Sequence, residues 1–121
     1  MATPILIITE CASGQVDQFA VYNEALRALE KATQDFLEVD LASANVTVTA
    51  ANFRAYYLFR AKNNAVARDL TLPANKRNFA VQNTGSATLS IKLGSTTLTL
   101  AAGASAIYYA DGTTNGLIKL G

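Results

Sequence analysis

Histidine and tryptophan are absent from this sequence, and cysteine occurs once, as Cys11. Without histidine, a hydroxyl or thiol nucleophile would need Lys, Asp or Glu as its base, and no Gly-x-Ser-x-Gly elbow is present. One cysteine and no histidine cannot build a zinc site, and a disulfide framework within the chain is excluded. The reading is therefore a non-enzyme with no catalytic residue, no cofactor and no metal. Charge is scarce as well, at 16% of residues with a net of +1, against about 25% in an ordinary soluble protein. Such a balance sets up no field to draw in nucleic acid or an acidic membrane, and Lys76-Arg77 is the one adjacent basic pair. Long apolar runs are missing too: Ile5-Leu6-Ile7-Ile8 stops at Thr9-Glu10, too short for a secretory signal or a membrane span. Neither nucleic acid nor membrane is expected as a partner, and synthesis is expected in the cytoplasm.

What the chain does contain is alternation. From Leu70 to Thr113, short runs of apolar residues alternate with polar or small ones, and each run closes on a turn signal. Leu70 and Leu72 stop at Pro73; Phe79 and Val81 stop at Asn83-Thr84-Gly85; Leu89, Ile91 and Leu93 stop at Gly94-Ser95. Leu98 and Leu100 stop before Gly103, and Ile107 and Tyr109 stop at Asp111-Gly112. Period-two alternation gives each strand an apolar and a polar face, and close, regular spacing predicts an antiparallel β-sandwich, jelly roll or small barrel. Leu37, Val39 and Leu41, then Val46 and Val48, extend the pattern upstream; Leu117, Ile118 and Leu120 end it. Ala50-Ala51-Asn52-Phe53 reads as a short helical turn or loop, and Tyr56-Tyr57-Leu58-Phe59, bulky on both faces, as a central strand covered on both sides or a strand at a subunit interface. The fold class is mainly β: an N-terminal arm and one α-helix over residues 1–36, then a β-sandwich domain of eight or nine strands over residues 37–121.

The arm holds Ile5, Leu6, Ile7 and Ile8 behind Pro4, a run with no hydrophilic face. It needs cover on both sides, from the chain's own core or from a neighbouring subunit. Residues 21–36 predict the helix. Tyr22, Leu26, Leu29, Thr33 and Phe36 recur at a 4-3-4-3 spacing and form one seam. That seam packs either on the chain's own sheet or in a helix bundle about a symmetry axis. With so few charges to cover the surface, these nine residues are the candidate oligomer or attachment interface, and a homotrimer is expected. Weaker candidates for chemistry are Glu38 with Asp40 on one strand face, Asp111-Gly112 with Asn115 as a partial calcium loop, and, as a sugar site, Lys62-Asn63-Asn64 with one of Tyr108 and Tyr109, or Tyr56.

Two segments carry a resemblance. Gly14-Gln15 followed by Asn23-Glu24-Ala25-Leu26 and Leu29 resembles the opening of a family of bacteriophage and gene-transfer-agent structural proteins. Leu72-Pro73-Ala74 with Lys76-Arg77, then Val81-Gln82-Asn83-Thr84-Gly85, Leu89-Ser90-Ile91-Lys92, Ala102-Gly103-Ala104 and Tyr109-Ala110-Asp111-Gly112-Thr113 resembles a β-module of phage tail and head-fibre proteins. After Gly14-Gln15 that family continues Ala-Gln-Lys, where this chain has Val16-Asp17-Gln18. The resemblance implies a virion protein partnered by itself and by the major capsid protein or other virion proteins. Family members carry further domains after the Asp-Gly turn, so a chain ending at Gly121 is expected to be a capsid decoration, cement or head-fibre-base protein. The alternatives are a tail-fibre or baseplate adaptor and a carbohydrate-binding module for host surface glycan.

Overall fold

The computed structural model describes residues 18–121, with side-chain surroundings from Asn23 onward; the Ile5–Ile8 run lies outside the described residues. The elements are α1 (Gln18–Gln34), β1 (Phe36–Asp40), β2 (Val46–Thr47), α2 (Ala50–Ala55), β3 (Leu58–Lys62), β4 (Arg68–Thr71), β5 (Arg77–Asn83), β6 (Leu89–Leu93), β7 (Thr96–Leu100), β8 (Ser105–Ala110) and β9 (Leu117–Lys119). Helix gives way to strand across one residue. The Asp35 N–H still donates to the Lys31 carbonyl at 3.0 Å, while the Asp35 carbonyl accepts from Tyr57, just before β3, at 3.0 Å and from Leu58, its first residue, at 3.2 Å. Phe36, read from its spacing as the last rung of the helix, is therefore the first residue of β1. The Ala50–Phe53 stretch is a true helix, capped by Thr49, whose hydroxyl accepts from the Asn52 N–H at 3.2 Å.

The chain is mainly β, but its two sheets are mixed where an antiparallel sandwich or jelly roll was expected. One sheet has the order β1-β3-β5-β8-β9 and the other β2-β4-β6-β7. Through β6 the chain alternates between them and pairs in parallel each time: Phe36 with Leu58 and Leu58 with Ala80 in one sheet, Val46 with Leu70 and Leu70 with Ile91 in the other. The first series advances 22 residues per step, so residues 36–93 form three stacked coils. Antiparallel pairing begins with β7 and continues through β8 and β9. Alternation has the same period in both kinds of ladder, and the connections decide between them. Hairpins form where Gly94 (φ 59) turns β6 into β7 and where the 111–116 loop turns β8 into β9. The earlier connections cross to the opposite sheet, as at Asn63, a non-glycine residue at φ 65.

The core lies between the sheets. Phe53 of α2 reaches into it and meets Phe79 edge-on at 5.0 Å and Phe59 at 5.9 Å, and Tyr108 stacks on Phe79 at 5.5 Å. This cluster reverses the expected facing of β8. Phe79 pairs with Tyr108 and Val81 with Ala106, so Tyr108, Ala106 and Ala110 are buried and Ile107 points out, 44% exposed. Two asparagines sit inside as well. The Asn64 amide donates to Asn83 Oδ1 and to the Ala87 carbonyl, both at 3.0 Å, and Asn83 donates to the carbonyls of Ala87 at 2.9 Å and Leu100 at 3.1 Å. Both residues read as turn formers in the sequence; here they bind one coil to the next.

Gly85 is fixed by this pair, because a Cβ there would overlap the Asn64 carboxamide. Gly85→Ala should lower stability by about 2 kcal/mol, the scale of an overpacked core. In urea unfolding the Asn64→Ala/Gly85→Ala double variant should lose less than the sum of its single variants, since truncating Asn64 removes the clash.

Candidate assembly surface

The helix that carries the predicted seam is held by a buried cation. Arg77 opens β5 beneath both helices, and its guanidinium donates to carbonyls at both helix C-termini: Phe53 at 2.8 Å and Arg54 at 3.1 Å in α2, and Ala32 in α1. Its Nε donates to the Asn78 carbonyl at 2.9 Å. No carboxylate pairs with it among the described residues. The last carbonyls of a helix lack intrahelical donors and carry partial negative charge, so they serve as the counter-charge. Burial nonetheless depresses the Arg77 pKa from its ordinary value. Lys31 adds a second tie from α1, with its ammonium 4.6 Å from the centre of the Tyr56 ring.

The face of α1 turned to the protein is small: Ala32 is buried, and Ala25 and Ala28 are half-buried. The predicted seam points elsewhere. Leu26 is 49% and Leu29 46% exposed, Thr33 is exposed with its hydroxyl bonded back to the Leu29 carbonyl at 3.0 Å, and Phe36 is 43% exposed. Of the two covers considered for the seam, the chain's own sheet does not supply one for Leu26, Leu29 or Thr33. Tyr22 lies within α1, and its side chain is outside the described surroundings, as are Ile5, Leu6, Ile7 and Ile8.

The outer faces of the two sheets differ. On the four-stranded sheet, the outward rows are Thr47, Thr71, Lys92 and Thr97, then Asp69, Ser90 and Thr99, with Lys92 paired to Asp69 at 3.1 Å. That surface suits water. On the five-stranded sheet, one outward row is Phe36, Leu58, Ala80 and Ile107, apolar on four adjacent strands. A groove of about 420 Å³ opens beside its Leu58–Ala80–Ile107 part, walled on the other side by Gln82 and Ser105 of the next row. The next row is polar: Glu38, Arg60, Gln82 and Ser105. Arg60 donates to Gln82 at 3.0 Å and lies 4.4 Å from the Phe36 ring centre. Alternation alone could not reveal this row, because its members belong to strands far apart in sequence.

The weaker candidates resolve into internal contacts. Glu38 pairs with Lys62 at 2.7 Å, and Asp40 accepts from the Ala42 N–H at 3.0 Å and the Asn63 amide at 3.3 Å. The Asp111 carboxylate accepts from the Thr113 hydroxyl at 2.6 Å and N–H at 2.9 Å. Asn115 accepts from the Ser95 N–H at 2.7 Å, and its carbonyl from Thr96 at 2.7 Å, locking the β6–β7 turn to the β8–β9 loop. Among the described residues no group of three His, Cys, Asp or Glu side chains converges, and no described helix is long and apolar enough to cross a membrane. Of the tyrosines offered as a sugar platform, Tyr108 is buried, Tyr56 is half-buried beneath Lys31, and Tyr109 is half-buried on the outward face of β8. No family model matches the sequence, and no curated protein or solved structure matches it.

Two outcomes follow for this surface. Arg77→Ala leaves three helix-terminal carbonyls without donors and should cost about 3 kcal/mol in urea unfolding, with Arg77→Lys rescuing little because a single ammonium cannot span both helices. The second concerns pH. Lys62 lowers the Glu38 pKa, the Ala42 N–H that of Asp40, and the Thr113 hydroxyl that of Asp111. A depressed carboxylate stabilises the fold fully above its unfolded pKa, and the contribution is lost as pH falls through the folded value. The thermal midpoint should therefore drop as pH is taken below about 4, and Asp111→Asn should make that drop shallower.

Proposed function

We propose that this chain is a structural subunit of a bacteriophage particle: a capsid decoration, cement or head-fibre-base protein that works through contacts with its own copies and with the capsid. The phage assignment rests on the sequence resemblance of the Asn23–Leu29 helix and of the turn-dominated segments from Leu72 to Thr113. The assembly role rests on one observation above the others: α1 is fastened by Arg77 while Leu26 and Leu29 stay about half exposed. Apolar burial contributes roughly 25 cal/mol per Å², so an apolar seam on an anchored helix gains most by meeting another copy. A homotrimer is the form we assign, with the particle as its site of action and no catalytic step.

A tail-fibre or baseplate adaptor would use the same physics. The glycan-binding alternative draws no support from Tyr108, which is buried, or Tyr56, which Lys31 covers; of its tyrosines, Tyr109 is the one on an outward sheet face.

Light scattering on the purified chain at micromolar concentration should give a trimer. Leu26→Asp/Leu29→Asp should give a monomer with an unchanged circular dichroism spectrum, because both positions are exposed within one chain. A wild-type monomer able to bind phage capsids would move the reading to attachment without self-association; a monomer that binds none would overturn it.

A further inference from the structure

We infer that the apolar row on the outer face of the five-stranded sheet, Phe36–Leu58–Ala80–Ile107, receives the Ile5–Ile8 segment of a second copy of the chain. This rests on the self-assembly reading above and adds the place where the arm docks.

The face is the kind that is normally covered. Parallel ladders occur almost always with both sides packed, and β1, β3 and β5 are parallel. Their inner side faces the core, while the outer side presents the apolar row and the groove of about 420 Å³ beside it. The four-stranded sheet, equally parallel through β2, β4 and β6, turns Thr, Ser and one ion pair outward instead. The contrast within one molecule marks the five-stranded face as the one built for a partner.

The segment fits the row in length and chemistry. Four strands at about 4.8 Å spacing make the row roughly 14 Å long, and four extended residues cover about 13 Å. Ile5, Leu6, Ile7 and Ile8 carry no charge, and the first charge beyond them is Glu10. Beside the row stands Arg60, which lies across from Glu38 but makes no ion pair at contact distance among the described residues. An arm lying along the row brings Glu10 toward that guanidinium. The chain outside the described part also has the reach. α1 sets Gln18 about 25 Å from its anchored end, and the nine residues between Ile8 and Gln18 extend up to about 30 Å.

The test uses the native chain, because Cys11 is its one thiol and lies three residues past Ile8. Equal amounts of light and isotopically heavy protein are mixed, labelled at Cys11 with a benzophenone maleimide, photolysed and mapped by mass spectrometry. The inference predicts light–heavy cross-links to peptides bearing Leu58, Ala80 or Ile107. Ile107→Lys, exposed and so compatible with folding, should cut their yield by at least about tenfold, since the arm would then bury an unpaired ammonium. Links confined to one chain, links to α1, an absence of links to this face, or a yield unchanged in Ile107→Lys would each overturn it. Light scattering separates the two levels. A monomer sinks the assembly reading itself, and an oligomer whose arms label elsewhere sinks only this docking site.

Discussion

The Arg77 guanidinium is the contact on which the arrangement of this molecule depends. A buried charge without a carboxylate would ordinarily be expelled or neutralised. Here it persists because two helices end against it and direct their last carbonyls at its fork. The planar, multi-donor head of arginine can serve Phe53, Arg54 and Ala32 at once, which a lysine could not. The same contact fixes α1 to the sheet by its C-terminal turn. An alanine face is enough to complete the docking, and the larger leucines are left on the outside. Exposure of the seam is thus a consequence of how the helix is anchored.

Below that anchor the coils bind one another through their interior. The Phe53, Phe59, Phe79 and Tyr108 rings fill one end of the core, and the Asn64–Asn83 pair satisfies backbone carbonyls where the chain crosses between sheets. The Asn115 lock then ties the final hairpins together. With both sheets closed on a shared core, their outer faces are what they present outward. One of these is threonine-rich, and the other carries an apolar row.

Much of this was legible in the sequence, and the exceptions have physical causes. Most strand positions follow from period-two alternation, and α1 from its helical spacing; β3, expected at Tyr56–Phe59 from a bulky run, begins instead at Leu58, because Tyr56 closes α2. Strand direction does not follow, because parallel and antiparallel strands alternate identically and the 22-residue step repeats no residue type: Phe36, Leu58 and Ala80 share only their place in the coil. Hydrophobicity alone puts Ile107 on the core side of β8. The structure chooses Tyr108, whose ring completes a stack that Ala106 and Ala110 leave room for. Arg77 reads only as half of the one adjacent basic pair, and Asn64 and Asn83 as turn formers, since nothing local distinguishes a buried polar residue whose partners lie on distant segments.

The account stands on α1 being a fastened helix whose leucine seam is covered by other copies of the chain. Hydrogen–deuterium exchange along Leu26–Thr33, followed as the protein is diluted, tests this most directly. If the account holds, these amides exchange slowly in the assembled protein and far faster once dilution separates the copies, while the amides of β5 stay protected throughout. Exchange in α1 that is equally fast at every concentration would contradict it.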